Sequence, residues 1–188
     1  METESIEKGR EELLGIIIKE AYVRECITLS SGKESDYYID ARRVTLSPRG
    51  VYWCARMIWD VIGDDAIDAV GGPTLGADPM IGAISVVGLQ LGRPMNTFII
   101  RKTAKVHGKQ QQVEGPILKE GSQVVLIDDV ATTGKAFLQS IDVLTAMGVK
   151  VYKAICIVDR GEGARESCPP RPFSTAARPE PEARGRVG

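Results

Sequence analysis

The sequence predicts an α/β fold, with a central parallel β-sheet flanked by helices and a small N-terminal hood. Two observations carry this prediction. Short apolar runs rich in β-branched residues alternate with longer segments of helical pattern, which is typical of strand–helix–strand units with right-handed crossovers. Glycines or charged side chains directly follow these apolar runs, and ligands of parallel sheets bind at that end of the strands.

The predicted elements begin with an amphipathic helix from about residue 4 to residue 22, followed by the hood at about 23–43. The hood has two short β-like pieces around a Ser-Gly turn. Ser47 and Pro48 predict the next helix start, since serine caps a helix N-terminus and proline suits its first position. The later elements alternate between strand and helix: a helix to about residue 62, a strand at 67–70, a helix to about 91, strands at 96–100 and 124–127, a helix at 135–147 and a strand at 151–158.

Length and composition predict one domain over residues 1–166 and a disordered tail over 167–188, which is rich in proline, arginine and alanine. Acidic and basic residues nearly balance, 25 against 24, so no nucleic-acid partner is expected. No apolar run approaches the roughly 18 residues of a membrane span, so no membrane partner is expected. Four scattered cysteines without a Cys-x-x-Cys pair predict free thiols and a cytoplasmic protein.

Residues 124–135, with the sequence VVLIDDVATTGK, are the most informative segment of the chain. Four apolar residues predict a buried strand, at whose end lie Asp128 and Asp129. Thr132, Thr133 and Gly134 then form a turn before a helix, and unpaired N–H groups at such a turn favour a bound phosphate. The carboxylates suit the hydroxyl groups of a ribose, directly or through Mg²⁺. The segment therefore predicts a ribose 5-phosphate site.

A less specific interpretation exists for the acid pair, because two acids after an apolar strand are also common where no ligand binds. The complete run of strand, acids, threonines, glycine and helix is much more specific. It lacks the Gly-x-x-x-x-Gly-Lys-Ser/Thr spacing of a nucleotide-triphosphate loop.

A basic segment at 101–112 is the second informative feature, with four strong cations, a histidine and no apolar period. Such a stretch taken alone is most often a solvated surface loop. Here it follows a predicted strand beside the phosphate site. Mobile cations that close over such a site neutralise a leaving pyrophosphate and exclude water.

The run at 124–135 resembles the phosphoribosyl-diphosphate (PRPP) binding motif of type I phosphoribosyltransferases. The segment Arg101-Lys102-x-x-Lys105-x-His107-Gly108 resembles the loop of the orotate-specific members, and the hood and the Asp159-Arg160 pair agree with them. The resemblance spans about residues 13–166. It implies that orotate and PRPP react, with Mg²⁺, to give orotidine 5′-monophosphate and pyrophosphate in de novo pyrimidine (UMP) biosynthesis.

The resemblance also implies roles for individual residues. The residues implied in PRPP binding are Arg101, Lys102, Lys105, His107, Asp128, Asp129, Val130, Ala131, Thr132, Thr133, Gly134, Lys135 and Ala136. Those implied in catalysis are Lys105, His107, Asp128 and Asp129, and those implied in orotate binding are Thr132, Arg160, Tyr37 and Tyr38. No resident metal is expected, since PRPP carries Mg²⁺ to the acid pair. Family members form homodimers in which the basic loop serves the neighbouring chain, and the same is expected here.

Two alternatives stay open from the sequence. The chain could transfer phosphoribosyl to another base, such as a purine, although a neutral Thr132 and a cationic Arg160 suit an anionic base better. It could instead be a non-catalytic PRPP sensor, but no DNA-binding extension is evident. Many family members carry lysines where Ser30 and Gly76 stand in this chain.

Overall fold

A computed structural model describes residues 5–28, 34–103, 112–168 and 173–176. Its elements, in chain order, are α1 (Ile6–Ile16), a π-helical segment (Ile17–Ala21), β1 (Tyr22–Val23), β2 (Ile27–Thr28), β3 (Glu34–Ser35), β4 (Tyr38–Ile39), α2 (Arg42–Thr45), α3 (Pro48–Ile62), β5 (Ala69–Pro73), α4 (Asp78–Gln90), β6 (Asn96–Ile100), β7 (Val113–Glu114), β8 (Gln123–Ala131), α5 (Lys135–Ala146), β9 (Lys150–Asp159), α6 (Ala164–Ser167) and β10 (Phe173–Thr175). Over these ranges every helix is too short or too polar to cross a bilayer.

The main sheet confirms the predicted α/β class. Its strand order is β10-β9-β8-β5-β6-β7, and all the described neighbours are parallel except β6 and β7. The chain passes from β5 outward to β6 and then returns across β5 to β8. The strand order therefore reverses between β5 and β8, and open α/β sheets form their ligand crevice at such a point.

The core lies on both faces of this sheet, because side chains alternate along each strand. On β8, Val125 and Ile127 pack in a cluster with α1, α3 and α4. Val124 and Leu126 pack on the opposite face with α5. All four side chains are fully buried, which anchors the strand that carries the acid pair.

The hood is built from two small antiparallel pairs, β1 with β4 and β2 with β3. The preceding helix was predicted to continue to about residue 22, but α1 ends at Ile16 and widens into the π-helical segment. The chain then becomes extended at Tyr22, which pairs with Ile39. The helical segment therefore ends where the chain pairs with β4. This is a tertiary contact, which the apolar pattern of the helix does not report.

The remaining predictions about element bounds and the tail need three corrections. Ser47 caps α3 as predicted, accepting a hydrogen bond from the Gly50 N–H at 3.1 Å. The strand at 67–70 lies instead at Ala69–Pro73, because Asp68 turns its carboxylate to the Gln123 N–H at 2.7 Å. The acid pair does not end its strand, since β8 continues pairing with β9 to Ala131.

The third correction concerns the tail, which was predicted to be disordered from residue 167. For residues 173–176 that prediction is wrong, because β10 pairs in parallel with β9 at the edge of the sheet. Phe173 is buried and contacts the Phe137 ring edge-on, with the ring centroids 5.9 Å apart. The average composition of the tail concealed this short apolar segment. The other tail residues, 169–172 and 177–188, lie outside the described residues.

Candidate active site

The acid pair lies on β8 at the crevice between β5 and β8. Asp128 is buried, and its Oδ1 accepts the Asp129 N–H at 3.0 Å. Asp129 Oδ1 accepts the Val130 N–H at 2.7 Å. Both carboxylates are thus held by backbone donors next to them in sequence, so their positions follow directly from the course of the strand.

The negative charges of Asp128 and Asp129 are only partly balanced by nearby cations. Burial raises the pKa of Asp128 well above its usual range, the charge of Asp129 raises it further, and Lys102 lowers it in part. Burial likewise raises the pKa of Asp129, while backbone hydrogen bonds and the charge of Arg42 oppose that shift. A ligand that brings hydroxyl donors or a cation would therefore bind favourably here.

A cavity of about 540 Å³ next to Asp128 is lined by the predicted phosphate turn, residues 132–134, and by the residues around it from 130 to 137. Gly134 has φ +79°, a left-handed conformation that glycine adopts without strain, and α5 begins at the next residue. The first helical bond runs from the Leu138 N–H to the Gly134 carbonyl at 3.0 Å. The N–H groups of Lys135, Ala136 and Phe137 precede that bond, so they are available to an anion.

A second cavity, of about 650 Å³, shares Asp128, Lys102, Ala136 and Gln139 with the first. Its wall includes the loop after β5, residues 73–76, and its cations are Arg42, Arg101 and Lys102. Gly76 approaches the acid pair closely, because an added Cβ would lie 2.5 Å from Asp129 Oδ1. Absence of a side chain at this position therefore lets the loop and the carboxylates meet.

The basic segment is described only at its two ends. The Arg101 N–H donates to the Gln112 carbonyl at 2.8 Å, and Gln112 Nε2 donates to the Arg101 carbonyl at 2.9 Å. Arg101 also pairs with Glu114, at 3.3 Å. These contacts fix the base of the segment at the mouth of the cavity. Lys105 and His107 lie outside the described residues.

The predicted base-binding residues meet only in part. Arg160 Nη2 donates to Ser35 Oγ at 3.0 Å, and its guanidinium lies 4.5 Å above the centre of the Tyr37 ring. The Arg160 N–H donates to the Ala131 carbonyl at 2.9 Å, which brings Arg160 beside Thr132. Tyr38 is partly exposed on β4, and its role in base binding stays a prediction.

Sequence reasoning missed several residues of the site. Arg42 lines the larger cavity, Ser35 binds Arg160 from the hood, and Glu162 accepts the Arg160 Nε–H at 2.9 Å. Only Glu162 gave a local signal, as an acid two residues after the arginine. Arg42 and Ser35 come from the hood, whose packing against the sheet no periodicity encodes.

Two buried cysteines lie close enough to the acid pair for its charge to affect them. Burial raises the pKa of Cys54 and of Cys156 to about 12, and the charge of Asp129 adds to the first shift and those of Asp159 and Asp128 to the second, so both thiols stay protonated at neutral pH. None of the four cysteines is in a disulfide bond. The crevice therefore offers oxygen and cationic groups and no activated thiol among these residues.

Comparison with known proteins gives consistent matches. A family model described as "Phosphoribosyl transferase domain" matches residues 42–170. An orotate phosphoribosyltransferase from a Nostoc species is 42% identical over 164 residues, which are 87% of this chain and 79% of that protein. An orotate phosphoribosyltransferase from Streptomyces coelicolor is 42% identical over 157 residues, 84% of this chain and 86% of that protein.

A solved structure extends these matches to three dimensions. It is the Mycobacterium tuberculosis orotate phosphoribosyltransferase in complex with PRPP, with a TM-score of 0.74 and 32% identity. The similarity covers 89% of this chain and 94% of that one. The chain therefore shares its fold with a protein that has been crystallised with PRPP.

Proposed function

The chain belongs to the orotate phosphoribosyltransferases, within the phosphoribosyl transferase domain family, and from that premise we propose how its crevice performs their reaction. The reaction transfers the 5-phosphoribosyl group of PRPP to orotate in pyrimidine biosynthesis and releases pyrophosphate. One observation supports the assignment of the site most strongly. Asp128 lines both the cavity formed around the helix-start turn and the cavity whose wall carries three cations, and Asp129 lines the second of these.

PRPP spans both cavities in this proposal. Its 5-phosphate binds the N–H groups and hydroxyls of residues 132–136, and its pyrophosphate lies in the larger cavity against residues 73–76. The ribose hydroxyls then donate to Asp128 and Asp129. As the bond to pyrophosphate breaks, the sugar becomes oxocarbenium-like, and the two nearby carboxylates stabilise its developing positive charge.

Orotate approaches from the hood side, where Arg160 and Tyr37 are in contact. Its carboxylate pairs with the Arg160 guanidinium, and Tyr37 provides an aromatic face beside the base. Thr132 faces the same region as a neutral hydroxyl, which does not repel an anion. This chemistry favours orotate over a purine.

The basic segment neutralises the leaving group. Arg101 and Lys102 stand at its described base, next to the larger cavity. Lys105 and His107 extend that charge over pyrophosphate, and His107 donates a proton to one of its oxygens. No covalent nucleophile is needed for this displacement.

The acid pair fits the magnesium that family members carry on PRPP. One buried and one half-buried carboxylate, both of raised pKa, supply hard oxygen ligands and lack full counter-charge. Bound magnesium would neutralise charge on pyrophosphate. Asp128 and Asp129 are the residues that would hold it near the ribose hydroxyls.

A homodimer is the proposed assembly, with Lys105 and His107 acting in the neighbouring site. Val86 and Leu89 support an apolar interface, because they stand three residues apart on α4 and are 58% and 70% exposed. Mixing inactive Lys105→Ala and Asp128→Asn proteins tests the sharing. Random exchange should restore about a quarter of wild-type activity, and no recovery despite dimer exchange would contradict it.

A reducing, cytoplasmic location is also inferred. Its support is the state of the thiols, since none of the four cysteines is in a disulfide bond and three of them are buried. Fractionation of cells that express the tagged chain would check this location.

The decisive experiment is an orotate-consumption assay. Wild-type protein with PRPP and Mg²⁺ should lower orotate absorbance, and a purine base in equal amount should not compete. Asp128→Asn should abolish most turnover, whereas Asp142→Asn, which removes an exposed acid from α5, should not. Absence of turnover at high enzyme concentration would refute the function.

A further inference from the structure

Arg160 is held from three directions although no ligand is bound. Its side chain is only 5% exposed. Nε donates to Glu162 Oε1 at 2.9 Å, and Nη2 donates to Ser35 Oγ at 3.0 Å. The Tyr37 ring lies beneath the guanidinium plane, 4.5 Å from its central carbon. The hood and the loop after β9 therefore meet at this one side chain.

These contacts divide the donors of the guanidinium. An arginine presents its N–H groups in a rigid planar fork. Glu162 occupies the Nε side and Ser35 occupies one donor of Nη2, so the remaining donors are on the terminal nitrogens. Because the guanidinium also lies over the Tyr37 ring, Arg160 presents those terminal donors in a fixed direction. The partner on Nε decides which edge of the fork faces a ligand.

The Glu162 carboxylate occupies this place at a free-energy cost. Its other oxygen, Oε2, is buried and has no hydrogen-bond partner among the described residues. A carboxylate beside the proposed orotate carboxylate also adds repulsion between like charges. A carboxylate with an unpaired buried oxygen calls for an explanation, and its hydrogen bond with Arg160, which an apolar residue could not make, is the one we consider.

We propose that Glu162 is the positioning residue for orotate recognition, which fixes the Arg160 guanidinium so that its terminal N–H groups receive the orotate carboxylate. The inference rests on the proposed function, in which Arg160 binds orotate. Glu162 acts through geometry and does not touch the substrate. A glutamine keeps an acceptor for Nε–H without the charge, so it separates positioning from electrostatics.

The test measures KM for orotate, KM for PRPP and kcat in four variants. Glu162→Ala should raise KM for orotate about tenfold or more, with KM for PRPP within about twofold, because only the base-binding donors lose their orientation. Glu162→Gln should restore KM for orotate to within about threefold of wild type. Glu162→Asp keeps the charge but is one methylene shorter, and should behave like alanine. Glu166→Ala removes an exposed acid four residues away and should leave all three constants unchanged.

Two outcomes would overturn the inference. Wild-type KM for orotate in Glu162→Ala or Glu162→Asp would exclude a positioning role, and so would a glutamine variant as impaired as alanine. Arg160→Gln separates this failure from that of the proposed function, since an unchanged KM for orotate there would show that Arg160 does not bind the base. Thermal unfolding identifies a variant that fails to fold. If Glu162→Ala is such a variant, comparison of KM for orotate between Glu162→Gln and Glu162→Asp decides whether Glu162 positions Arg160.

Discussion

Substitution of Gly76 by alanine tests how closely the loop after β5 and the acid pair are fitted. An ideal Cβ at this position lies 2.5 Å from Asp129 Oδ1 and 2.8 Å from Asp128 Oδ1. The carboxylates or the loop must therefore move by roughly 1 Å to restore ordinary contact. The backbone of Gly76 is not in the left-handed region, so the effect comes from contact and not from backbone strain.

The expected magnitude follows from the atoms that must move. The two oxygens that an alanine would crowd are the same ones that accept the N–H groups of Asp129 and Val130. Their displacement weakens both hydrogen bonds and misplaces the groups that are proposed to bind the ribose. A misplacement of about 1 Å in such a site costs about a hundredfold in rate, so kcat/KM for PRPP should fall by that factor, about 2.7 kcal/mol.

The assay is steady-state kinetics with PRPP varied at saturating orotate, combined with thermal unfolding. Gly15→Ala is the matched control, because nothing lies within 4 Å of its added Cβ on α1. It should gain up to about 1 kcal/mol of stability and keep wild-type kinetics. Wild-type kcat/KM for PRPP in Gly76→Ala would refute the close fit between loop and acid pair.

Three further predictions concern the loop, the acid pair and the tail strand. Lys105→Ala should severely reduce turnover with only a modest loss of PRPP binding by calorimetry, and unchanged turnover would show that the loop is misassigned. The raised pKa of Asp128 means that protonation stabilises the fold as pH falls toward 3.8, and that this stability is lost as pH rises through the raised value. Ligand-free Asp128→Asn should therefore have a higher free energy of unfolding than wild type at neutral pH, and the difference should vanish near pH 4. A lower free energy of unfolding than wild type at neutral pH would contradict this. Phe173→Ala should lower the free energy of unfolding by about 3 kcal/mol through loss of the contact with Phe137, with wild-type KM values, and unaltered stability would argue against β10.

The sequence predicted correctly those helices and strands whose ends are determined by neighbouring residues in the chain. Strand β6 was predicted at 96–100 and occupies Asn96–Ile100, because apolar β-branched residues end there at a charged loop. Helix α3 begins where Ser47 caps it. The end of α1 and strand β10 were missed for the opposite reason, since pairing with distant strands decides both of them.

The candidate site divides in the same way. The acid pair and the phosphate turn are contiguous in sequence, so one run of residues carried both predictions. Arg160 was predicted as well, but not its partner Ser35, which is 125 residues away in the chain. Contacts between the hood and the sheet depend on how two separately folded elements dock, and no sequence period reports that arrangement.

The position of the acid pair connects stability with function. A buried pair of carboxylates destabilises the ligand-free fold, and the two facing cations, Lys102 and Arg42, offset that repulsion only in part. Apolar residues at 128 and 129 would pack more stably but would offer nothing to a ribose. In the proposed binding mode PRPP would bring hydroxyl donors and its magnesium would bring positive charge to the pair, so binding would relieve the cost that folding leaves. The same groups that weaken the empty protein thereby strengthen its complex, and PRPP should protect wild type against thermal unfolding far more than it protects Asp128→Asn.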